Sequence, residues 1–303
     1  MIHFADRLCA AVASKGSALC VGLDPCWDSL PIEIRERHGG ESCNTVASAF
    51  EEFCCRVVEV VEPLVAIVKP QMAFFEACGP PGFVALQRVI AKARRRGLLV
   101  VLDGKRNDIA STASAYADAA LSGTPLGTGR RPVWDADALT VNPYLGRDAV
   151  EPFLQSARRA GRGVYVLVRT SNPGAGQFQD LECGGRPLYA HVAEAIRAWT
   201  RENVGTSGYG DVGAVVGATY PAELALLRAA LPEVLFLVPG FGAQGGGAAE
   251  VYPAFRDDGH GAIVNSSRGI LYSYSPNSRD WEAAVERAAL DTVRMLPRPG
   301  TAL

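Results

Sequence analysis

Leu98-Leu99-Val100-Val101-Leu102-Asp103-Gly104-Lys105-Arg106-Asn107-Asp108 carries five apolar residues straight into a cluster of charge. An unbroken apolar run of this length suits a strand buried on both faces, as in parallel sheets covered by helices. The pattern recurs: residues 18–23, 64–68, 138–141, 164–168, 212–216, 234–238 and 262–264 are further short runs, each followed by a helical-looking stretch. With 98–102 they number eight. Parallel strands need crossover connections, and those are nearly always right-handed. Eight such units in 303 residues predict a single α/β domain over 1–303, a closed (β/α)8 TIM barrel rather than an open doubly wound sheet.

The segments between the runs read as helices. Residues 44–61 start at a possible Asn44 cap and place Val46, Phe50, Phe53, Val57 and Val61 at three- and four-residue intervals, a core-facing stripe. Residues 81–96, 110–121, 147–160, 187–204, 221–231 and 281–295 read the same way, and 4–14 would cap the barrel floor. Residues 122–132, rich in Gly, Thr and Pro, are expected to form a loop within the domain. Lys92 and the Arg94-Arg95-Arg96 run read as solvated charges, the arginines also facing a helix C-terminus.

Composition narrows the function. Thirty Lys+Arg against 32 Asp+Glu give a net charge of −2, so there is no basic stripe for nucleic acid or for an acidic membrane surface. The first residues do not read as a signal peptide, and no apolar run approaches the ~18 residues of a membrane span, so a cytoplasmic location is expected. The eight cysteines contain no C-x-x-C pair and are expected to be reduced, small core residues. Only four histidines are present, without zinc-ligand spacing, and neither a metal site nor a Ser-His-Asp triad is supported.

The chemistry concentrates at the strand ends, which in a barrel gather at one mouth. Asp24 follows the first run, Lys69 the second, Asp103 and Lys105 the third, and Asn142 the fourth. Thr170 and Ser171 follow the fifth, Thr219 the sixth, residues 239–247 the seventh, and Ser266-Ser267-Arg268 the eighth. In extended backbone Asp103 and Lys105 share a face, and Lys69 sits on the neighbouring strand. Two cations and one or two carboxylates packed together, Asp108 closing the same hexapeptide, can hold one another charged where a lone charge would be costly. The glycine-rich seventh end and Arg268 suit a phosphate group, which barrels commonly bind at loops seven and eight.

These residues, in this order, resemble the orotidine 5′-phosphate decarboxylase family. The resemblance is carried by Gly22-Leu23-Asp24-Pro25, Val68-Lys69-Pro70-Gln71, Asp103-x-Lys105-x-x-Asp108-Ile109 and Thr140-Val141-Asn142-Pro143-Tyr144. It continues through Ser171-Asn172-Pro173-Gly174, Pro239-Gly240-x-Gly242-Ala243-Gln244-Gly245-Gly246 and Asn265-Ser266-Ser267-Arg268. The Lys69-Pro70-Gln71 and Asn142-Pro143-Tyr144 variants and the 122–132 loop are similar to the longer bacterial, type 2 branch.

The resemblance implies decarboxylation of orotidine 5′-monophosphate to UMP and CO2 in pyrimidine biosynthesis, by a homodimer, with no cofactor or metal. It implies a charged network of Lys69, Asp103, Lys105 and Asp108, with Lys105 the proton donor and Asp108 reaching the partner's site. Asp24 would hold the ribose, Thr112 would contact it from the other subunit, and Asn142 would join the substrate-binding set. Ser171 would read the pyrimidine edge, and Gln244 and Arg268 would hold the phosphate. Much of the family has Gly where this chain has Ser267, which stands as a further phosphate contact. Two alternatives remain open: a Mg-dependent 3-keto-sugar-phosphate decarboxylase or aldolase of the same superfamily, and a catalytically silent nucleotide-binding barrel.

Overall fold

Strands buried along their whole length have no solvent face, and here they close on themselves. The computed structural model describes residues 1–241, 247–275 and 277–300. The barrel strands are β1 (Leu19–Leu23), β2 (Ile67–Pro70), β3 (Leu99–Arg106), β4 (Ala138–Val141), β5 (Gly163–Arg169), β6 (Val212–Val216), β7 (Phe236–Pro239) and β8 (Ala262–Ser266). All neighbours are parallel, and β1 pairs with both β2 and β8 to complete the ring, as the eight apolar runs predict. Every residue of β1, β2, β4, β6 and β8 is buried.

Several strands reach further than their apolar letters. The second was expected at 64–68, but the amides of Leu64 and Val65 bond to Val61 O and finish the preceding helix. β2 therefore starts later and carries Lys69 inside the barrel wall, opposite Gly22 of β1. β3 continues through the charged residues to Arg106, and β8 continues to Ser266. The polar tips are part of the sheet, which is what holds them still.

The helices fall close to their predicted spans, among them Cys43–Val61, Pro80–Arg95, Ala110–Ala117, Arg147–Ala160 and Trp281–Met295. The first of these is capped by Ser42, not Asn44. Ser42 Oγ accepts from Thr45 N while Thr45 Oγ1 accepts from Ser42 N, and this reciprocal pair satisfies two donors that Asn44 does not reach. The expected loop at 122–132 is instead a hairpin of Thr124–Leu126 against Gly129–Arg131, turned at Gly127, whose φ of 57° suits glycine. Arg130 ties it back to Asp118 and to Gly123 O. All eight cysteines are free. Cys20, Cys54 and Cys78 are buried packing residues as expected, whereas Cys26, Cys43 and Cys183 are exposed. Among the described residues no helix is long and apolar enough to cross a membrane.

The N-terminal helix Phe4–Lys15 closes the floor, its Phe4 ring edge-on to Tyr165 of β5 with centroids 6.2 Å apart. Beside it lies Asp137, 1% exposed, which precedes β4. It accepts from Arg7 at 2.7 Å, from Arg94 at 2.9 Å, from Arg162 and from Val100 N at 3.0 Å. Arg94 is thus a partner in a buried ionic cluster and not the solvated charge its sequence context suggests. Removing one side of such a cluster leaves the others uncompensated, typically at a cost of about 3 kcal/mol or more. Asp137→Ala is expected to lower the urea midpoint accordingly with an unchanged m-value. A loss below about 1 kcal/mol would show that solvent, not Asp137, neutralises these arginines.

Candidate active site

Asp103, on β3 and 6% exposed, is the hub of the barrel mouth. Its Oδ2 accepts from Lys69 Nζ at 2.7 Å and Gln71 Nε2 at 3.0 Å. Its Oδ1 accepts from Lys105 Nζ at 2.7 Å and Thr140 Oγ1 at 2.9 Å. A carboxylate offers about four lone-pair positions, so each oxygen is filled by one ammonium and one neutral donor. Burial alone would lower the Lys69 pKa, but the charges of Asp103 and Asp24 reverse this and hold it above the ordinary lysine range. Burial likewise would raise the Asp103 pKa, and Lys69 and Lys105 together hold it well below the carboxylate range. Lys69 and Asp103 therefore both stay ionised although they are buried.

The two lysines differ in access. Lys69 Nζ is locked in the wall, its side chain 5% exposed, whereas the Lys105 side chain is 47% exposed. Their meeting on Asp103 was expected, but the simple shared face of an extended strand is not how Lys105 gets there. The β3 register breaks after Leu102, and Lys105 has φ 43°, a left-handed conformation that turns its side chain back toward Asp103.

Asp24 follows β1, the strand beside β2, where its charge acts on Lys69. Tyr272 fixes this turn: its hydroxyl donates to Asp24 O and accepts from Cys26 N, both at 2.8 Å. Asp24 Oδ1 is buried and, among the described residues, has no hydrogen-bond partner. Ser267 Oγ accepts from Asn265 Nδ2 at 3.2 Å, and Ser267 leans over β1, where a Cβ on Gly22 would fall inside contact distance of its hydroxyl. Arg268 is exposed at the start of the short helix Arg268–Leu271 and forms no ion pair among the described residues. Gln244 lies outside the described residues.

The remaining predicted residues stand apart from the hub. Asp108 is half-buried and its Oδ1 accepts from Ile109 N at 2.8 Å. No ion pair joins it to Lys69 or Lys105 within the chain, among the described residues. Thr112 is exposed on the helix Ala110–Ala117. Asn142 Oδ1 caps the next turn by accepting from Tyr144 N at 3.0 Å. Ser171 packs above Gly217, where a Cβ would lie 2.9 Å from the serine Cβ.

Three polar residues at the mouth had no predicted role. Gln71 and Thr140 complete the shell of Asp103, and Arg169, 3% exposed at the end of β5, binds Glu223 at 2.8 Å and Asp180 at 3.2 Å. Thr140 was legible in principle, as a hydroxyl in a fully buried strand that must find a partner. Among the described residues no three His, Cys, Asp or Glu side chains converge as metal ligands, and Asp103 has no lone pair left over for one.

The profile of the orotidine 5′-phosphate decarboxylase / HUMPS family matches residues 17–282. Orotidine 5′-phosphate decarboxylase of Rhodopirellula baltica is 48% identical over 297 residues, covering 96% of this chain and 97% of its own. That of Deinococcus radiodurans is 43% identical over 271 residues, 89% of each chain. The structure of Leishmania donovani OMP decarboxylase superposes with a TM-score of 0.74 at 36% identity, covering 97% of this chain and 98% of that one.

The opposed shifts of Lys69 and Asp103 set a pH signature. Asp103, with a depressed pKa, contributes stability that is present above the unfolded value of about 4 and is lost as pH falls below it. Lys69, with a raised pKa, contributes stability that is present below about 10.4 and is lost only as pH rises beyond that. Lys69→Met should therefore be less stable than wild type by a constant margin from about pH 5 to 9, a margin that narrows below about pH 4. Urea titrations across that range give the margin, and one that grows toward acid would contradict the assignment.

Proposed function

The chain belongs to the orotidine 5′-phosphate decarboxylase family, and on that premise we propose that it converts orotidine 5′-monophosphate to UMP and CO2 with Lys105 as the proton donor. The observation that carries this is the buried Asp103 carboxylate held between Lys69 and Lys105 at the barrel mouth. Breaking the bond between the ring and its carboxyl group releases CO2 and leaves the electron pair on the ring carbon. A fixed ammonium beside that carbon stabilises the developing charge and then delivers its proton, so that one proton is taken up per CO2 released. Lys105 suits this role because its side chain reaches the open mouth and can be reprotonated from solvent, whereas Lys69 is sealed in the wall. Asp103 pairs with both lysines and faces the departing carboxylate. The residues present supply the acid and the charge, and we propose that no cofactor or metal is needed.

Binding is assigned by position. Asp24 has a buried oxygen open to a ribose hydroxyl. Ser171 is assigned to the pyrimidine edge and Asn142 to the substrate set, while Gln244, Ser267 and Arg268 are assigned to the phosphate. Anchoring the phosphate far from the bond being broken lets its binding energy orient the ring.

We further propose a homodimer with shared sites. Asp108 and Thr112 do not reach their own hub, and Ile109 at the start of the helix Ala110–Ala117 and Tyr116 within it, with Tyr144 and Leu145 in the turn after β4, are exposed. A second copy of this chain would cover them and receive Asp108. Residues 1–303 are taken as one barrel domain. A cytoplasmic location is supported by eight free cysteines, three of them exposed, which persist in a reducing compartment.

Turnover is followed as loss of the ultraviolet absorbance of orotidine 5′-monophosphate. Lys105→Ala is expected to lose nearly all turnover while UMP still binds, and chelator-treated wild type to keep full activity. Activity lost on chelation would favour the metal-assisted sugar-phosphate reaction, and absent wild-type turnover with UMP binding would favour a nucleotide sensor.

The shared site is tested by unfolding and refolding Lys69→Ala and Asp108→Ala together. Mixed two-fold dimers collect both lesions in one site and neither in the other, so about half the dimers and roughly a quarter of all sites regain activity. No recovery after verified subunit exchange would place Asp108 in its own barrel.

A further inference from the structure

Thr140 stands opposite the break in β3. The β3–β4 register pairs Val101 with Ala138 and Leu102 with Leu139, then resumes at Arg106 with Val141. Three residues, Asp103, Gly104 and Lys105, thus face Thr140 alone, a bulge in which ladder hydrogen bonds are lost and the strand turns sharply. The Thr140 hydroxyl binds one side chain and one backbone amide of the bulge. It donates to Asp103 Oδ1 at 2.9 Å, at the start of the bulge, and accepts from Lys105 N at 2.9 Å, at its end. Thr140 itself is 1% exposed, so no water competes for either bond.

We propose that Thr140 is a positioning residue that sets the Asp103–Lys105 geometry on which proton delivery depends, an inference that rests on the decarboxylase assignment above. Lys105 holds φ 43°, a conformation that a residue with a Cβ adopts only when its surroundings fix it. The bond from Lys105 N is the one that fixes it here. If that bond is lost, the bulge relaxes toward extended backbone, and Lys105 Nζ is no longer turned back to within 2.7 Å of Asp103 Oδ1. The β-branched threonine restricts χ1, so its hydroxyl is held in place before substrate arrives. Gln71 occupies the corresponding neutral position on Oδ2, beside Lys69 rather than Lys105, so the two neutral donors act on different lysines.

Thr140→Val preserves shape and β-branching and deletes both bonds, while Thr140→Ser keeps the hydroxyl and drops the methyl. Steady-state kinetics on orotidine 5′-monophosphate and UMP binding by calorimetry are measured on both variants beside wild type. The valine variant is expected to lose about 10- to 100-fold in kcat with KM and UMP affinity within about threefold, and serine to recover most of the rate. A role confined to fold stability would instead move KM, UMP binding and melting temperature together, or leave kcat at the wild-type value, and either result overturns the proposal. So does serine as impaired as valine. If valine does not fold, Thr140→Ala against Thr140→Ser poses the same contrast. Absent wild-type turnover overturns the decarboxylase assignment, and this inference with it, whereas normal wild-type turnover with an unimpaired valine variant overturns this inference alone.

Discussion

A single carboxylate with every lone pair occupied organises the mouth of this barrel. Asp103 receives donors from β2 and the residue after it, from its own strand, and from β4, so three adjacent strands are tied at one point. Neither Asp103 nor Lys69 would be tolerated as a lone charge at that depth. Together they offset one another's burial, and the site is charged and rigid before any ligand enters it. Such preorganisation is what electrostatic catalysis requires, because dipoles and charges already in place need no reorganisation as the reaction proceeds.

The two ends of the barrel apply the same physics with different cations. At the floor, Asp137 is surrounded by Arg7, Arg94 and Arg162, and at the mouth Asp103 is surrounded by Lys69 and Lys105. Guanidinium groups do not give up a proton in proteins and bind in planar forks, which suits a permanent fastening between helices and strands. An ammonium on a flexible stem can donate a proton and recover it. The choice of arginine below and lysine above separates the end that holds the fold from the end fitted for chemistry.

Much of this was legible in the letters. Eight apolar runs announced the barrel, because strands buried on both faces have no polar alternation to hide them, and the charged residues that follow them named Lys69, Asp103 and Lys105. What stayed hidden depended on backbone geometry or on distant partners. The strand ends extend into polar residues because neighbouring strands pair with them, which no local hydropathy records. The bulge at Gly104 and the part played by Thr140 follow from a register shift between β3 and β4, invisible in either strand alone. Arg94 read as solvated because its partner, Asp137, lies 43 residues away. Asp108 stood out as part of the charge cluster after the third run, but its role toward a partner, and Thr112 altogether, came only from the family resemblance.

The contact between Gly22 and Ser267 links two positions at opposite ends of the chain. Gly22 lies on β1 and Ser267 directly follows β8, and these strands pair because the barrel closes, the first against the last. A Cβ at 22 would overlap Ser267 Oγ and lie 3.2 Å from Asn265 Oδ1, so a larger residue at 22 requires the Ser267 side chain to move or to shorten. While serine stands at 267, glycine is favoured at 22, and a smaller residue at 267 would relax that demand. Closure of the barrel thus couples the choice of residue at two positions that lie 245 apart in the sequence.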